Sequence, residues 1–386
     1  MLVLGSAVAL LGLGLPMVLS ASSVTSYAAT GSSFALFDRQ LMWAALGVPA
    51  MLIAARLPVR MWRRLAFPAM LLALVLLVLV LVPGVGVEVN GNRNWIDFGG
   101  PFRLQPAEGA KLALVLWGAE VLTRKRDRLD RWRELLVPLL PVALVVLALV
   151  LGGGDLGTAV VLMAITGALL YVAGAPLRLF GLLGAAALSG IAYLSVTAPH
   201  RLDRFDTWLN PSLADPLGNG LQYRHGLYAL GSGGWWGLGL GASREKWGRL
   251  PEAHTDFIYA VIGEELGLAG TLTVLLLFSV LAYAGVRIAL RTTDPFVRLA
   301  ASGATAWIAT QALVNIGAVL GLLPIAGLPL PLVSYGGAAL LITLVAIGML
   351  MSFARSEPGA AEALAARRAV RSQRWHAVLG SLQPGR

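Results

Sequence analysis

Apolar residues run along this chain in long blocks, and polar residues gather in the stretches between them. The blocks cover approximately residues 2–20, 41–55, 66–83, 106–122, 135–151, 157–173, 179–196, 257–286, 299–323 and 332–354. A helix rising about 1.5 Å per residue needs roughly 20 such residues to cross about 30 Å of hydrocarbon. The pattern predicts an all-α integral membrane protein, a polytopic bundle of ten transmembrane helices over residues 1–355. A cytoplasmic C-terminal tail is expected at 356–386. The first block lacks the basic leader of a secretory signal peptide, so it reads as a first transmembrane helix.

Two connections are long, 84–105 and 197–256. Loops of that length in a compact domain usually carry function. The second is a large extracytoplasmic loop between helices 7 and 8, with Trp208, Tyr223, Tyr228, Trp235, Trp236 and Trp247. This aromatic content argues for ordered re-entrant or surface-lying pieces with indoles at headgroup level.

Loop charges set the orientation. With the N-terminus inside, the inner loops hold Arg56, Arg60, Arg63 and Arg64, the run from Arg124 to Arg133, then Arg178, Arg287, Arg291 and Arg298. The tail adds further arginines from Arg355 to Arg386. The outer loops hold fewer basic residues: Arg39, Arg93, Arg103, Arg201, Arg204, Arg224, Arg244, Lys246 and Arg249. Both termini therefore belong on the cytoplasmic side of the membrane. The same rule explains the net charge of +10 without nucleic acid. Composition agrees, since 57% of the 386 residues are hydrophobic and 13% charged, against about 25% charged in soluble domains. The absence of cysteine excludes disulfides and thiol catalysis, and the four histidines show no helical metal-ligand spacing.

Ionisable groups within or beside apolar blocks are costly in lipid and mark candidate chemistry. The fourth block opens Arg103-Leu-Gln-Pro-Ala-Glu-Gly-Ala-Lys111. Glu108 and Lys111 share a helical face. They are either an internal ion pair or, with Arg103, an anion site in which Glu108 orients the lysine. At the eighth block, Thr255 and Asp256 suit an N-cap. A cap does not explain Glu252, His254 and Asp256 gathered together, and a partly shielded aspartate suits a general base. Glu264 and Glu265, two turns deeper, suit a structural role with the backbone of broken neighbouring helices. Before the tenth block, the prolines and glycines from Gly321 to Gly337 cannot form a regular helix and point to a cavity wall. The glycine-rich stretches 231–234 and 237–241 follow no strand, so a nucleotide-loop reading fails.

Together these segments resemble the SEDS family (shape, elongation, division and sporulation) of polytopic peptidoglycan glycosyltransferases. The resemblance runs from Ser20-Ala-Ser-Ser-Val to Ser334-Tyr-Gly-Gly337 and is most specific over Leu250–Gly267, where Leu-Pro-Glu-Ala-His-Thr-Asp looks like the division members more than the elongation members. Departures are Ala107 and Gly109 in the fourth block, Gly153 and Gly154 before Asp155, and Ala338 and Ala339 where the family has serines. None removes a charged group. The resemblance implies polymerisation of lipid II onto an undecaprenyl-pyrophosphate-linked glycan, by inverting attack at the outer face of the bacterial cytoplasmic membrane during septal wall synthesis. It aligns Asp256 with the family's essential aspartate and Arg103 and Lys111 with pyrophosphate-binding positions. Glu108, Glu252, His254, Arg224 and Ser334 complete the substrate-binding candidates. A divalent cation (Mg or Mn) is compatible with this chemistry but not demanded by it. The implied partners are a class B penicillin-binding protein (a transpeptidase) and other division proteins. Two other readings stay open: a lipid II flippase and a non-catalytic division scaffold.

Overall fold

A computed structural model describes residues 1–89, 92–100, 102–129, 131–196, 207–210, 219–357 and 359. Each of the apolar blocks overlaps a helix, with ends that differ by several residues. Seven come before the large loop: α1 (Leu2–Thr30), α2 (Ala35–Arg56), α3 (Val59–Leu81), α4 (Pro106–Arg124), α5 (Trp132–Gly152), α6 (Leu156–Val172) and α7 (Leu177–Val196). Within that loop Thr207–Leu209 are helical and α8 spans Asn219–Ser232. Then come α9 (Ile258–Arg291), α10 (Pro295–Val319) and α11 (Ala338–Ala354). Four stretches are long and apolar enough to cross a membrane by length and composition alone: Leu2–Thr30, Val59–Leu81, Arg133–Gly152 and Ile258–Arg291. The protein is a multi-pass helical membrane protein. Nearly all of the expected tail lies outside the described residues.

Helix α4 lies at the centre. Its side chains are buried almost all round from Pro106 to Leu122, against α3, α6 and α10. A helix apolar on every face is a buried one, yet α4 carries Glu108, Lys111 and Glu120, all buried. Local chemistry sets its start: Gln105 is extended at the N-cap, and Pro106 sits at N1, where its missing N–H costs nothing. Helix α10 begins similarly, with Pro295 in the first turn and Asp294 Oδ1 accepting from Phe296 N at 2.8 Å. At the C-terminal end of α4, the buried Glu120 accepts from Arg63 Nε at 2.8 Å and Arg124 Nε at 2.7 Å.

The loop before α4 is an antiparallel sheet, β1 (Gly86–Val89), β2 (Asn92–Asp97) and β3 (Arg103–Leu104), in that order. Its register sets Asp97 opposite Arg103. Strand β3 leads directly into α4, so the sheet fixes where Arg103 stands relative to Lys111.

Helix α9 is broken at Gly267, with φ 68° and ψ −163°. That backbone region is essentially restricted to glycine. The glycine-rich turns after α8 fill the break. Leu238 N and Gly239 N donate to the carbonyls of Glu264 and Glu265, while Leu268 N and Ala269 N donate to those of Gly234 and Trp235. The carboxylates serve the same turns. Glu265 accepts from Gly241 N, Ser243 N, Ser20 Oγ and Lys246 Nζ; Glu264 accepts from Ser243 Oγ and Arg244 N. This is the structural role expected for the two glutamates. Over residues 219–256 the loop is ordered and lies on the bundle, with Trp235, Trp236 and Trp247 exposed.

Candidate active site

The turn that carries Asp256 is built by Glu252. Glu252 adopts φ 55°, unusual for a residue with a side chain. Its carbonyl accepts from Thr255 N and Phe257 N, and its carboxylate from Thr255 Oγ1 at 2.6 Å. Helix α9 then starts with Phe257 as N-cap and no side-chain cap. Asp256 is thus the residue just before the N-cap.

Three consecutive carbonyls of this turn are held from outside it. His254 O accepts from Tyr335 N at 3.0 Å. Thr255 O accepts from Ser334 Oγ at 2.6 Å. Asp256 O accepts from Asn315 Nδ2 at 2.8 Å. The donors come from α10 and the irregular stretch before α11. That stretch is a buried wall, as its prolines and glycines suggested, with Leu328, Leu330, Leu332 and Val333 all buried. Ser334 is itself buried and also accepts from Leu330 N at 2.8 Å, so its hydroxyl ties two loops together. Asp256, Asn315 and the wall residues Ile325 to Leu328 line a small cleft.

His254 is half-buried, its ring 5.7 Å from that of Tyr335. Burial pushes its pKa below the ordinary imidazole value, with the nearby Glu252 carboxylate opposing. Tyr335 in turn lies within electrostatic reach of the Arg39 and Arg103 guanidiniums. Thus Arg103 stands near the Asp256 turn. It is 55% exposed, with Nε 2.9 Å from Asp97 Oδ2. The Gly99 N–H first, and Arg103 second, hold the Asp97 carboxyl below the usual carboxylate range.

Lys111 is placed differently. It is fully buried, with Nζ 2.7 Å from Glu108 Oε1 and 2.8 Å from Gln311 Oε1. Its ammonium also lies 5.1 Å from the centre of the Trp307 ring. Glu108 Oε2 is buried with no hydrogen-bond partner among the described residues. The structure thus pairs Lys111 with Glu108 beneath the site and leaves Arg103 on its surface. Arg224 lies half-buried on α8, which packs against α9 and α10.

Two residues outside the sequence reading join these parts. Gln311 accepts from Lys111 and Trp307 and donates to Pro329 O; Asn315 donates to Asp256 O and Leu328 O. A signal was present: Trp307, Gln311 and Asn315 recur every four residues on one face of an apolar helix.

Comparisons with known proteins agree with this architecture. The family model described as a cell cycle protein, covering FtsW, RodA and SpoVE, matches residues 1–358. A probable peptidoglycan glycosyltransferase FtsW of Mycobacterium tuberculosis is 47% identical over 378 residues, covering 98% of this chain and 71% of that protein. Stage V sporulation protein E of Bacillus subtilis is 42% identical over 346 residues, covering 90% and 94%. Among solved structures, the rod shape determining protein RodA of Thermus thermophilus superposes with TM-score 0.66 at 29% identity, covering 92% and 96%. A chain from a peptidoglycan synthase complex, described as coordinating polymerization and crosslinking, gives TM-score 0.73 at 31% identity, covering 92% and 97%. The fold and the buried polar centre thus define a multi-pass helical membrane protein of the SEDS type. The chain belongs to the FtsW/RodA/SpoVE family.

Proposed function

We propose that this protein is a peptidoglycan glycosyltransferase of cell division that polymerises lipid II, with Asp256 as general base. The observation that carries the reading is the anchoring of carbonyls 254, 255 and 256 by Tyr335, Ser334 and Asn315. A base must be held in place to work, since preorganised geometry is a large part of its effect. The names of the relatives support the reaction class, and the synthase-complex neighbour supports a class B penicillin-binding protein as partner.

In the proposed reaction the 4-hydroxyl oxygen of the acceptor attacks the anomeric carbon of the donor. The bond from that carbon to the pyrophosphate oxygen breaks, its electron pair leaves with undecaprenyl pyrophosphate, and the configuration inverts. The hydroxyl proton passes to the Asp256 carboxylate. Arg103 meets the leaving pyrophosphate at the surface, where an arginine can bind two oxygens at once. Lys111 lies beneath with its charge largely offset by Glu108, so its contact with phosphate requires that pair to open. Loop charges support an extracytoplasmic site and cytoplasmic termini. Among the described residues no three His, Asp or Glu groups converge as a metal-binding set. A divalent cation entering with the substrate would be held by its pyrophosphate, with Asp256 and Glu252 nearby.

The test is purified protein, with and without its transpeptidase partner, given labelled lipid II in detergent. Glycan ladders on a gel support the reading. Lipid II transfer across vesicles without ladders supports the flippase instead, and neither activity supports the scaffold.

A further inference from the structure

Gln311 and Asn315 are four residues apart on α10, so their side chains share one face of the helix. Both are buried. Gln311 Oε1 accepts from Lys111 Nζ at 2.8 Å and Trp307 Nε1 at 2.9 Å, and its Nε2 donates to Pro329 O at 2.9 Å. Asn315 Nδ2 donates to Asp256 O at 2.8 Å and Leu328 O at 2.7 Å. The amide orientations are fixed by their neighbours. Two N–H donors face one end of Gln311, and only carbonyls face its other end and the Asn315 nitrogen. Each amide thus grips one of two adjacent loop carbonyls and one end of the candidate site.

We propose that Gln311 and Asn315 are positioning residues: this face of α10, braced on the carbonyls of Leu328 and Pro329, sets where the Lys111 cation and the Asp256 carboxylate stand relative to each other. The proposal rests on the glycosyltransferase reading and deepens it. A purely structural role makes a different forecast. Both amides pin neighbouring atoms of one loop, so losing either would loosen the same wall and shift every readout together. A positioning role separates them, because Gln311 acts on the cationic end and Asn315 on the base.

The experiment measures lipid II binding, kcat and KM for the full chain, wild type beside Gln311→Leu, Asn315→Ala and Asp256→Asn. Thermal unfolding in detergent reports folding. Misplacing a reacting group by about 1 Å costs roughly 100-fold in rate. Asn315→Ala is expected to lower kcat about 10–100-fold with lipid II affinity within about twofold of wild type. Gln311→Leu is expected to weaken lipid II affinity with kcat changed less than its KM. Where Asn315→Ala does not fold, Asn315→Ser, which keeps one donor, carries the same measurement. Parallel losses of kcat and affinity in both variants would reduce the pair to a loop clamp and overturn the proposal. An inactive Asp256→Asn beside a fully active Asn315→Ala would leave the base assignment standing and remove the strut. An active Asp256→Asn would remove both.

Discussion

Lys111 and Glu108 form an ion pair sealed inside the bundle, Nζ to Oε1 2.7 Å, with side chains 0% and 2% exposed. Removing one partner of such a pair strands the other charge and costs about 3–5 kcal/mol. Lys111→Ala is therefore expected to lower folded yield and thermal stability before any effect on substrate can be read. The double variant Glu108→Gln with Lys111→Met removes both charges at similar volume and should fold. Its lipid II affinity decides the role: a clear loss supports a pyrophosphate contribution, and unchanged affinity makes the pair structural. Arg103 gives the contrasting result. It is exposed, and surface pairs such as Arg103–Asp97 contribute little to stability. Arg103→Ala should fold normally while binding lipid II more weakly, by about 1.5–3 kcal/mol for lost charge-assisted bonds, and more so at low salt.

The proposed sidedness has a direct check. The turn between α1 and α2 belongs outside, and Ser32 there is exposed. The end of α11 belongs inside, and Ser356 after it is exposed. A cysteine at position 32 should react with an impermeant thiol reagent in intact cells, and one at position 356 only after the membrane is opened. Labelling of the second in intact cells would reverse the orientation.

His254 predicts a pH dependence. Its folded pKa is depressed by burial, below an unfolded value of about 6.5. Between those two values the unfolded chain binds more protons, so stability is full above the unfolded pKa and falls as pH drops towards the folded one. Unfolding temperature in detergent should decline on acidification below about pH 6.5, and His254→Asn should flatten that slope. An identical slope in the variant would assign the effect elsewhere. At neutral pH the same shift favours the uncharged imidazole, so His254 adds no positive field to the site.

Gly267 is the hinge on which α9 turns. A Cβ there would clash with Gly237 N and lie 2.6 Å from Trp235 O, and its backbone conformation alone costs a non-glycine residue about 1–3 kcal/mol. Gly267→Ala should loosen the 233–246 turns and lower the unfolding temperature by several degrees, since about 1 kcal/mol moves it by ~2–4 °C in a larger domain. An unchanged unfolding temperature would show that the turns do not depend on the break.

Hydropathy placed the apolar blocks over helices among the described residues, because burying apolar surface in lipid leaves a period-free signal about 20 residues long. It misjudged their ends. Helix α1 runs on to Thr30, through a serine-rich turn where Ser23 and Thr30 return their hydroxyls to helix carbonyls at 2.9 and 2.8 Å. The sheet at 86–104 went unread because its strands are short and their partners are set by register, not composition. At the site, the charged candidates were visible because charge in an apolar block is costly. Two readings of Lys111 were open, and only packing could show that it points into the bundle towards Gln311. Gln311 and Asn315 carry no charge, and their importance lies in which carbonyls they reach across α9, α10 and the following loop. The 252–257 turn closes on the Glu252 carbonyl, a backbone arrangement that no residue type in the sequence announces.

The account turns on one carboxylate. Asp256→Asn keeps the side chain's size, and the carbonyl that accepts from Asn315 is backbone and survives the change. The variant should therefore insert and purify like wild type, and bind lipid II with similar affinity. A positioned base contributes about 10²–10⁴-fold in rate, so the decisive measurement is the rate of glycan formation from labelled lipid II by the two proteins, side by side. The account predicts at least about a 100-fold loss in the variant with its folding intact. Polymerisation by Asp256→Asn at near wild-type rate would contradict it and move the search for the base to Glu252 or His254.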